Sequence, residues 1–301
     1  MRRIFFVFVI LTGLSWSRTW SESGDGLALM KVEAGARPSG MAGAFVSLTG
    51  DPMTAVYNPA GVVANDRFTA SFGHVVYWEN IRFETGYFAT RLQGRFYLHG
   101  GIRYARVDDL QGRFFSTLDP AFITEFDAHD LSIKSGLAYK VNDKISAGFA
   151  MGWFFEKIDT WRGSSFNIDL GVRMAINNHI DAGASVTNLG SSFQLTQSGQ
   201  PSSRDITLPT TYRLGGSYRY QKYLGAMDMV VVDEELHLHA GAEADLHELF
   251  SLRGGYMFNY DSKNLTAGAS FHHRNMTFDY AFVPYTNDLG TTHLFNITFR
   301  L

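Results

Sequence analysis

The chain has 301 residues, 45% of them hydrophobic, a mean hydropathy of −0.09, a formal charge of −3 and no cysteine. These values exclude a bundle of membrane helices, disulfides and thiolate metal sites, and they give no electrostatic reason to expect a nucleic acid as partner. They leave open a membrane β-barrel, in which only alternate residues face lipid, and the 25 Phe, 14 Tyr, 30 Gly and 7 Pro suit many strands joined by tight turns.

In chain order, Met1-Arg2-Arg3 is a basic start, and Ile4 to Leu14 is an apolar run broken only by Thr12 and Gly13. Ser15-Trp16-Ser17 supplies the small residues of a cleavage site, so 1–17 reads as a secretory signal peptide cut after Ser17. The run is too short to cross a bilayer as a helix. Residues 18–65 come next, and from 27 to 65 they show no alternation. Gly35, Gly40 and Gly43 permit tight backbone turns, and Asn58-Pro59 followed by Gly61 is a turn signal. Met41, Phe45, Val46, Val56 and Tyr57 need burial, so 18–65 is expected to fold inside a barrel as a plug or hatch.

Residues 66–301 are expected to be the barrel. Apolar and polar residues alternate there with the period of a two-faced strand. Ile168, Leu170, Val172, Met174 and Ile176 oppose Asn167, Asp169, Gly171, Arg173 and Ala175. About fourteen such segments, each long enough for a tilted membrane strand, fall near 67–78, 81–92, 94–107, 129–141, 143–157, 163–176, 178–188, 209–221, 223–232, 236–246, 248–258, 262–272, 274–284 and 290–301. The segment 223–232 is the weakest, because Asp228 interrupts its pattern. An even count leaves no open edge after closure.

The connections sort by side. Even-numbered segments end in tight turns such as Gln93-Gly94, Asn142-Asp143, Asn177-Asn178 and Gln221-Lys222, whereas the long connections 108–128 and 189–208 follow odd-numbered ones. This sorting is how outer-membrane barrels are built, and it places both termini in the periplasm and the long loops outside. The final strand alternates Phe295, Ile297, Phe299 and Leu301 with Leu294, Asn296, Thr298 and Arg300. The fold expected is therefore all-β: a transmembrane outer-membrane β-barrel of about 14 antiparallel strands with an N-terminal plug.

Several stretches carry a resemblance. Gly35-Ala36-Arg37, Gly40-Met41-Ala42-Gly43-Ala44-Phe45-Val46 and Tyr57-Asn58-Pro59-Ala60-Gly61 resemble the opening of the PorV/PorQ family, itself related to the FadL long-chain fatty-acid transporters. Asp279 to Tyr285, Asp288-Leu289-Gly290, Thr292-His293 and Phe299-Arg300-Leu301 resemble that family's ending. Asn188-Leu189-Gly190 and Leu208-Pro209 also fall where the family has them, and Ala42 departs from its usual Gly. The resemblance spans essentially the whole mature chain. It implies a fourteen-stranded barrel whose hatch motif is Gly35, Arg37, Gly40, Met41, Gly43, Asn58, Pro59 and Gly61. The function it implies is divided. PorV-like and PorQ-like members serve type IX secretion, binding exported cargo or joining the attachment complex. FadL-like members take up hydrophobic small molecules through the hatch and a side opening. The first reading is preferred on resemblance, with uptake of hydrophobic small molecules as its alternative.

The remaining side-chain groups admit sharper and plainer readings. His237, His239, Glu243, Asp245 and His247 share one parity, and paired histidines beside carboxylates can hold a metal. A single strand encloses poorly, so a wet, hydrogen-bonded lumen is expected, and no metal or cofactor is assigned. No G-x-S-x-G elbow or zinc-protease helix motif is present, so no enzyme is expected. Arg82, Arg95, Arg103, Lys134, Arg173, Arg213, Arg219 and Arg253 are expected to point inward with Glu84, Asp130, Asp169, Asp181 and Asp279. Their mixed signs suit ion pairs that brace the wall better than a selective pore. The 108–128 loop carries Phe114, Phe115, Phe122 and Phe126, a possible partner-binding surface, and the polar 189–208 loop is expected to be mobile. Partners follow: outer-membrane lipid, with secreted cargo, envelope attachment proteins or hydrophobic small molecules at the mouth.

Overall fold

The computed structural model describes residues 28–65, 67–77, 81–113, 123–286 and 290–301. The signal segment 1–17, the loop residues Phe114, Phe115 and Phe122 and the motif residues Asp288-Leu289 lie outside the described residues. Among the described residues no helix is long and apolar enough to cross a membrane, which says nothing against crossing by strands.

The wall is built of β1 (Thr69–Val76), β2 (Arg82–Arg91), β3 (Phe96–Arg113), β4 (Ile123–Lys140), β5 (Ile145–Ile158), β6 (Trp161–Ala175) and β7 (Ile180–Gly190). After a hairpin of β8 (Phe193–Gln197) and β9 (Gln200–Ile206), it continues with β10 (Thr211–Tyr220), β11 (Tyr223–Val232), β12 (Glu235–His247), β13 (Phe250–Phe258), β14 (Leu265–His273), β15 (Met276–Pro284) and β16 (Thr291–Arg300). Each wall strand pairs antiparallel with its neighbour. β1 meets β16 from Thr69↔Arg300 to Val76↔His293, and the β5–β6 pairing completes the circuit. The result is a closed fourteen-stranded antiparallel barrel, the number read from the alternation.

The end at which β1 begins and β16 finishes is the turn end, since every connection there is tight. There Asn142 accepts from the amides of Lys144 and Ile145, and Asn177 accepts from those of His179 and Ile180. Short polar side chains of this kind stand in for the backbone at a turn. The opposite, loop end carries the hairpin and the long β3 and β4 extensions. Around the outside, Phe72, Ile133, Leu170, Leu214, Met229 and Leu265 are exposed, while Ser71, Ser132, Asp169, Asp228 and Thr266 on the alternate positions are buried. An apolar outer belt over a polar inner face is the arrangement a bilayer requires of a barrel.

Four expectations change. The 108–128 stretch is mostly strand: β3 and β4 are 18 residues each, a bulge interrupts β3 between Val107 and Leu110, and Phe126 lies within β4 opposite Leu110. The 189–208 stretch is the β8–β9 hairpin, which leans on β6 through Arg162↔Thr196 and packs Phe193 against Phe154 at 6.1 Å between ring centres. Arg82 and Glu84 point outward, for Glu84 bonds His74 (2.7 Å) on the outer face of β1. They lie near the loop end, where a strand leaves the belt and an outward charge costs little. Asp228 does not interrupt β11 at all: it shares the inward parity of Leu224, Ala226 and Val230 and is fully buried.

Candidate functional site in the barrel lumen

The lumen is occupied by residues 28–65. Short helices α1 (Ala28–Lys31), α2 (Ala36–Gly40) and α3 (Thr54–Tyr57) and a 3₁₀ helix over Pro59–Ala64 alternate with turns. Helices this short leave most of their backbone groups unpaired, so the wall must satisfy them. Asp228 accepts from the amides of Phe45 (2.7 Å) and Val46 (2.9 Å). Asn296 accepts from Ala36, while Thr266 accepts from Ala42 and donates to the Gly40 carbonyl. Ser185 donates to Tyr57 O, Arg173 to Ser47 O and Arg103 to Val32 O. Inward-facing residues of six strands thus hold one irregular backbone.

Each residue of the Gly35–Gly61 motif has a place in this packing. Gly35 has φ +88° and Gly43 φ +72°, conformations open to glycine. Arg37 donates from Nε and Nη2 to both carboxylate oxygens of Glu243 (2.9 Å each) and lies over the Phe45 ring. A methyl group on Gly40 would meet the Arg253 side chain, and one on Gly61 the Leu48 carbonyl. Asn58 is fully buried; its Oδ1 accepts from Ala60 N, capping the 3₁₀ helix that Pro59 opens, and its Nδ2 donates to the carbonyls of Val46 and Val172. Met41 is buried against the facing glycines Gly241 and Gly255.

Those two belong to a larger set. At Gly148, Gly171, Gly183, Gly241 and Gly255, all inward-facing, an added methyl would stand within 3 Å of Pro59–Ala60, Asn58, Val46, Met41 and Ala42 respectively. Three close pairings, Gly148↔Gly171, Gly183↔Gly215 and Gly241↔Gly255, are cross-strand glycine pairs. Glycines across β5, β6, β7, β12 and β13 therefore form the seat on which the segment's backbone lies. Alternation alone did not reveal it, because a glycine scores neither as apolar nor as polar. Asp228 was equally hidden as a site residue; its signal was a lone carboxylate on an otherwise apolar inward face.

The two ends of the lumen differ in chemistry. Toward the loop end, Val75, Phe83, Ala105, Phe154, Ala281, Val283 and Leu294 from the wall form one buried apolar cluster with Phe193 and Leu208 of the loop and Leu29 and Met30 of α1. Lys263–Glu33 (2.7 Å) and Lys31–Asp233 (2.7 Å) tie that part of the segment to the loops. Burial pushes the Glu33 carboxyl up, but Lys263 outweighs it and holds the group below the usual carboxylate range. Toward the turn end, a polar cavity of about 260 Å³ is lined by Arg37, Arg219, Arg253 and Arg300 together with Asp51, Glu243, Asp245 and Asp279. Between the two lies a pocket of about 40 Å³ among Met30, Val32, Tyr57, Arg103, Lys134 and Arg213.

Charges in the lumen pair with opposite signs: Lys134–Asp169 (2.6 Å), Arg173–Asp181 (2.6 Å) and Arg253–Asp279 (3.0 Å) join neighbouring or next-neighbouring strands. This is the bracing pattern. His237 bonds the Asn259 carbonyl, His239 bonds Tyr260, Glu243 pairs with Arg37 and Arg253, and Asp245 accepts from Ser251. His247 lies beyond a register shift and is exposed. The five residues that shared a parity are thus spread among separate partners. Phe126 sits in β4, apart from this site.

No protein-family model matches the chain, and comparison with curated proteins finds no match. Solved structures do match. The Pseudomonas putida toluene transporter TodX superposes with a TM-score of 0.64 at 10% identity, over 88% of this chain and 96% of that one. A mutant of the TodX monoaromatic hydrocarbon channel gives 0.62 at 10% identity, over 90% and 98%. A Pseudomonas aeruginosa FadL homologue gives 0.56 at 12% identity, over 87% and 97%. The chain has the fold of FadL/TodX-type outer-membrane barrels.

Proposed function

We propose that the protein is an outer-membrane channel for hydrophobic small molecules, with its signal peptide removed, its termini in the periplasm and the loop end outside. The observation that carries this reading is the apolar cluster at the loop end of the lumen, closed from within by α1 of the N-terminal segment. A polar pore has no use for Val75, Phe83, Phe154 and Leu294 on its inner wall, whereas an apolar solute leaving water gains about 25 cal/mol per Å² buried there. The segment acts as a plug, since its backbone fills the barrel's waist. The cations Arg103 and Arg213 just beneath the cluster suit the polar end of an amphiphile. Fold likeness to a toluene transporter and a FadL homologue supports the same reading.

The secretion-associated reading rests on the PorV/PorQ-like motifs. Gly35, Arg37, Asn58 and Gly61 work in seating the plug, a task any plugged barrel needs, so the motifs favour neither subtype.

Uptake of a radiolabelled monoaromatic hydrocarbon and of a labelled long-chain carboxylate by cells with and without the protein tests the proposal. Faster uptake of at least one, abolished in a Phe154→Asp variant that still reaches the outer membrane, is expected. Equal uptake with and without the protein, together with consistent co-purification of a secreted protein, would overturn it in favour of secretion.

A further inference from the structure

The outer face carries a feature that transport does not use. One register row runs Arg82↔Arg106↔His129↔Lys157↔Arg162 across β2 to β6. Residues paired directly across antiparallel strands share a face. Arg82, Arg106, Lys157 and Arg162 are exposed, on the parity opposite the buried Phe83, Ala105, Glu156 and Ser165. The next row toward the turn end holds Glu84, Tyr104, Leu131, Phe155 and Ser164, and the one below it Gly86, Ile102, Ile133, Trp153 and Phe166. The basic row therefore stands along the upper margin of the apolar belt.

Acids are present and unevenly placed. Arg106 is paired with Asp108 and lies 3.9 Å from Asp127, and Glu84 is bonded to His74. Among the described residues no acid stands within ion-pair distance of Arg82, Lys157 or Arg162. Across the barrel at the same end, the β11–β12 turn is acidic, with Asp233, Glu234 and Glu235.

The row also climbs. Arg82 is nine residues from the turn-end residue Arg91 of β2, whereas Arg162 is thirteen from Ala175 of β6. At ~3.3 Å per residue and a tilt near 40°, the row rises by roughly 10 Å. The headgroup layer of a simple phospholipid leaflet is only about 6 Å deep. A partner that meets the whole row needs anionic groups at more than one height.

We infer that the outer face of β2 to β6 binds a phosphorylated glycolipid of the outer leaflet, its acyl chains on the belt and its phosphates on Arg82, Lys157 and Arg162. Guanidinium and ammonium groups bind phosphate by charge-assisted hydrogen bonds, and a headgroup of linked sugars carries phosphates at separate heights. The inference rests on the proposed membrane placement and is independent of what the lumen carries.

Native mass spectrometry of the purified mature barrel in detergent, titrated separately with lipid A and with phosphatidylglycerol, tests it. Lipid A is expected to be retained in preference, and the R82Q/K157Q/R162Q variant to bind it at least about tenfold more weakly. K222Q, at the turn end, is expected to bind like the parent. Equal retention by parent and triple variant overturns the inference, as does equal preference for phosphatidylglycerol or an equal loss in K222Q. Heat-shifted gel mobility of every variant reports barrel formation separately; a parent without it sinks the membrane placement itself. Single variants of these exposed side chains give the same comparison in smaller steps should the triple fail to fold.

Discussion

The two ends of one lumen are built by opposite means. At the loop end, wall and segment meet through apolar side chains, with Phe154, Leu294 and Val283 packed around Leu29 and Met30. At the waist and turn end they meet through backbone amides, glycines and an ion pair, with Asp228, Asn296 and Glu243 as the fixed points. Hydrophobic contact has no direction and can be exchanged for contact with an apolar solute at little cost. A hydrogen bond to a buried amide has no such substitute, because an orphaned donor carries its full desolvation penalty. The apolar end is therefore the part that can yield to a ligand, and the polar waist the part that stays.

The largest expected break of this contrast is Asp228→Leu. It removes two charge-assisted bonds, each worth about 1.5–3 kcal/mol, and strands the amides of Phe45 and Val46. Undocking of the segment is expected, seen as chymotrypsin cleavage after the normally buried Phe45 in the detergent-solubilised barrel and a higher single-channel conductance. Unchanged conductance together with an intact Phe45–Val46 bond would show that the seat does not depend on Asp228.

Next comes Gly183→Val, which drives a side chain into the Val46 carbonyl. Overpacking of this kind costs roughly 1–3 kcal/mol, and Gly216→Val, with far more room, is the matched control. Faster amide exchange at residues 44–48 in the first variant alone is expected. On the other side of the comparison, Leu294→Ser cuts into the apolar cluster. It is expected to lower hydrocarbon uptake several-fold while leaving conductance and Phe45 protection from chymotrypsin as in the parent. Lost protection would mean that the apolar end, too, holds the segment.

Much of this was legible in the residues. Period-2 alternation exposed the wall because the outer face must be apolar along every strand, and tight turns showed which ends meet. The inner face was harder. On β11 the inward residues Leu224 and Ala226 are apolar because Met41, Ala44 and Phe45 cover that part of the wall, so a polar-inside rule misreads Asp228 as a fault. Arg82 and Glu84 were misplaced by the same rule, which holds only within the belt. The β8–β9 hairpin left no trace, since its polar sequence becomes strand only by leaning on β6. The glycine seat needs two surfaces to be known at once.

A smaller effect follows from acid. Glu33 has its folded pKa lowered, so its tether to Lys263 contributes above the unfolded value, about 4.3, and is lost as pH falls through the lower folded value. Amide exchange at residues 29–33, corrected for its intrinsic pH dependence, is expected to be flat from pH 8 to about 5 and to rise below about 4. A rise near pH 6 would assign the tether to a histidine instead.

The smallest expected effect concerns Ala42, which holds φ +55°, a conformation more open to glycine. A Cβ in that region costs ~1–2 kcal/mol, offset in part by the greater freedom a glycine loses on folding. Ala42 also donates its amide to Thr266, and its methyl packs near Gly255, so both wall contacts depend on this backbone conformation. Ala42→Gly is expected to stabilise the docked segment by up to about 1 kcal/mol, read as slower amide exchange at residues 40–46. Because the turn lies at the polar waist, hydrocarbon uptake should not change. If uptake falls as exchange slows, the waist moves during transport, and the division between a yielding apolar end and a fixed polar one fails at its boundary.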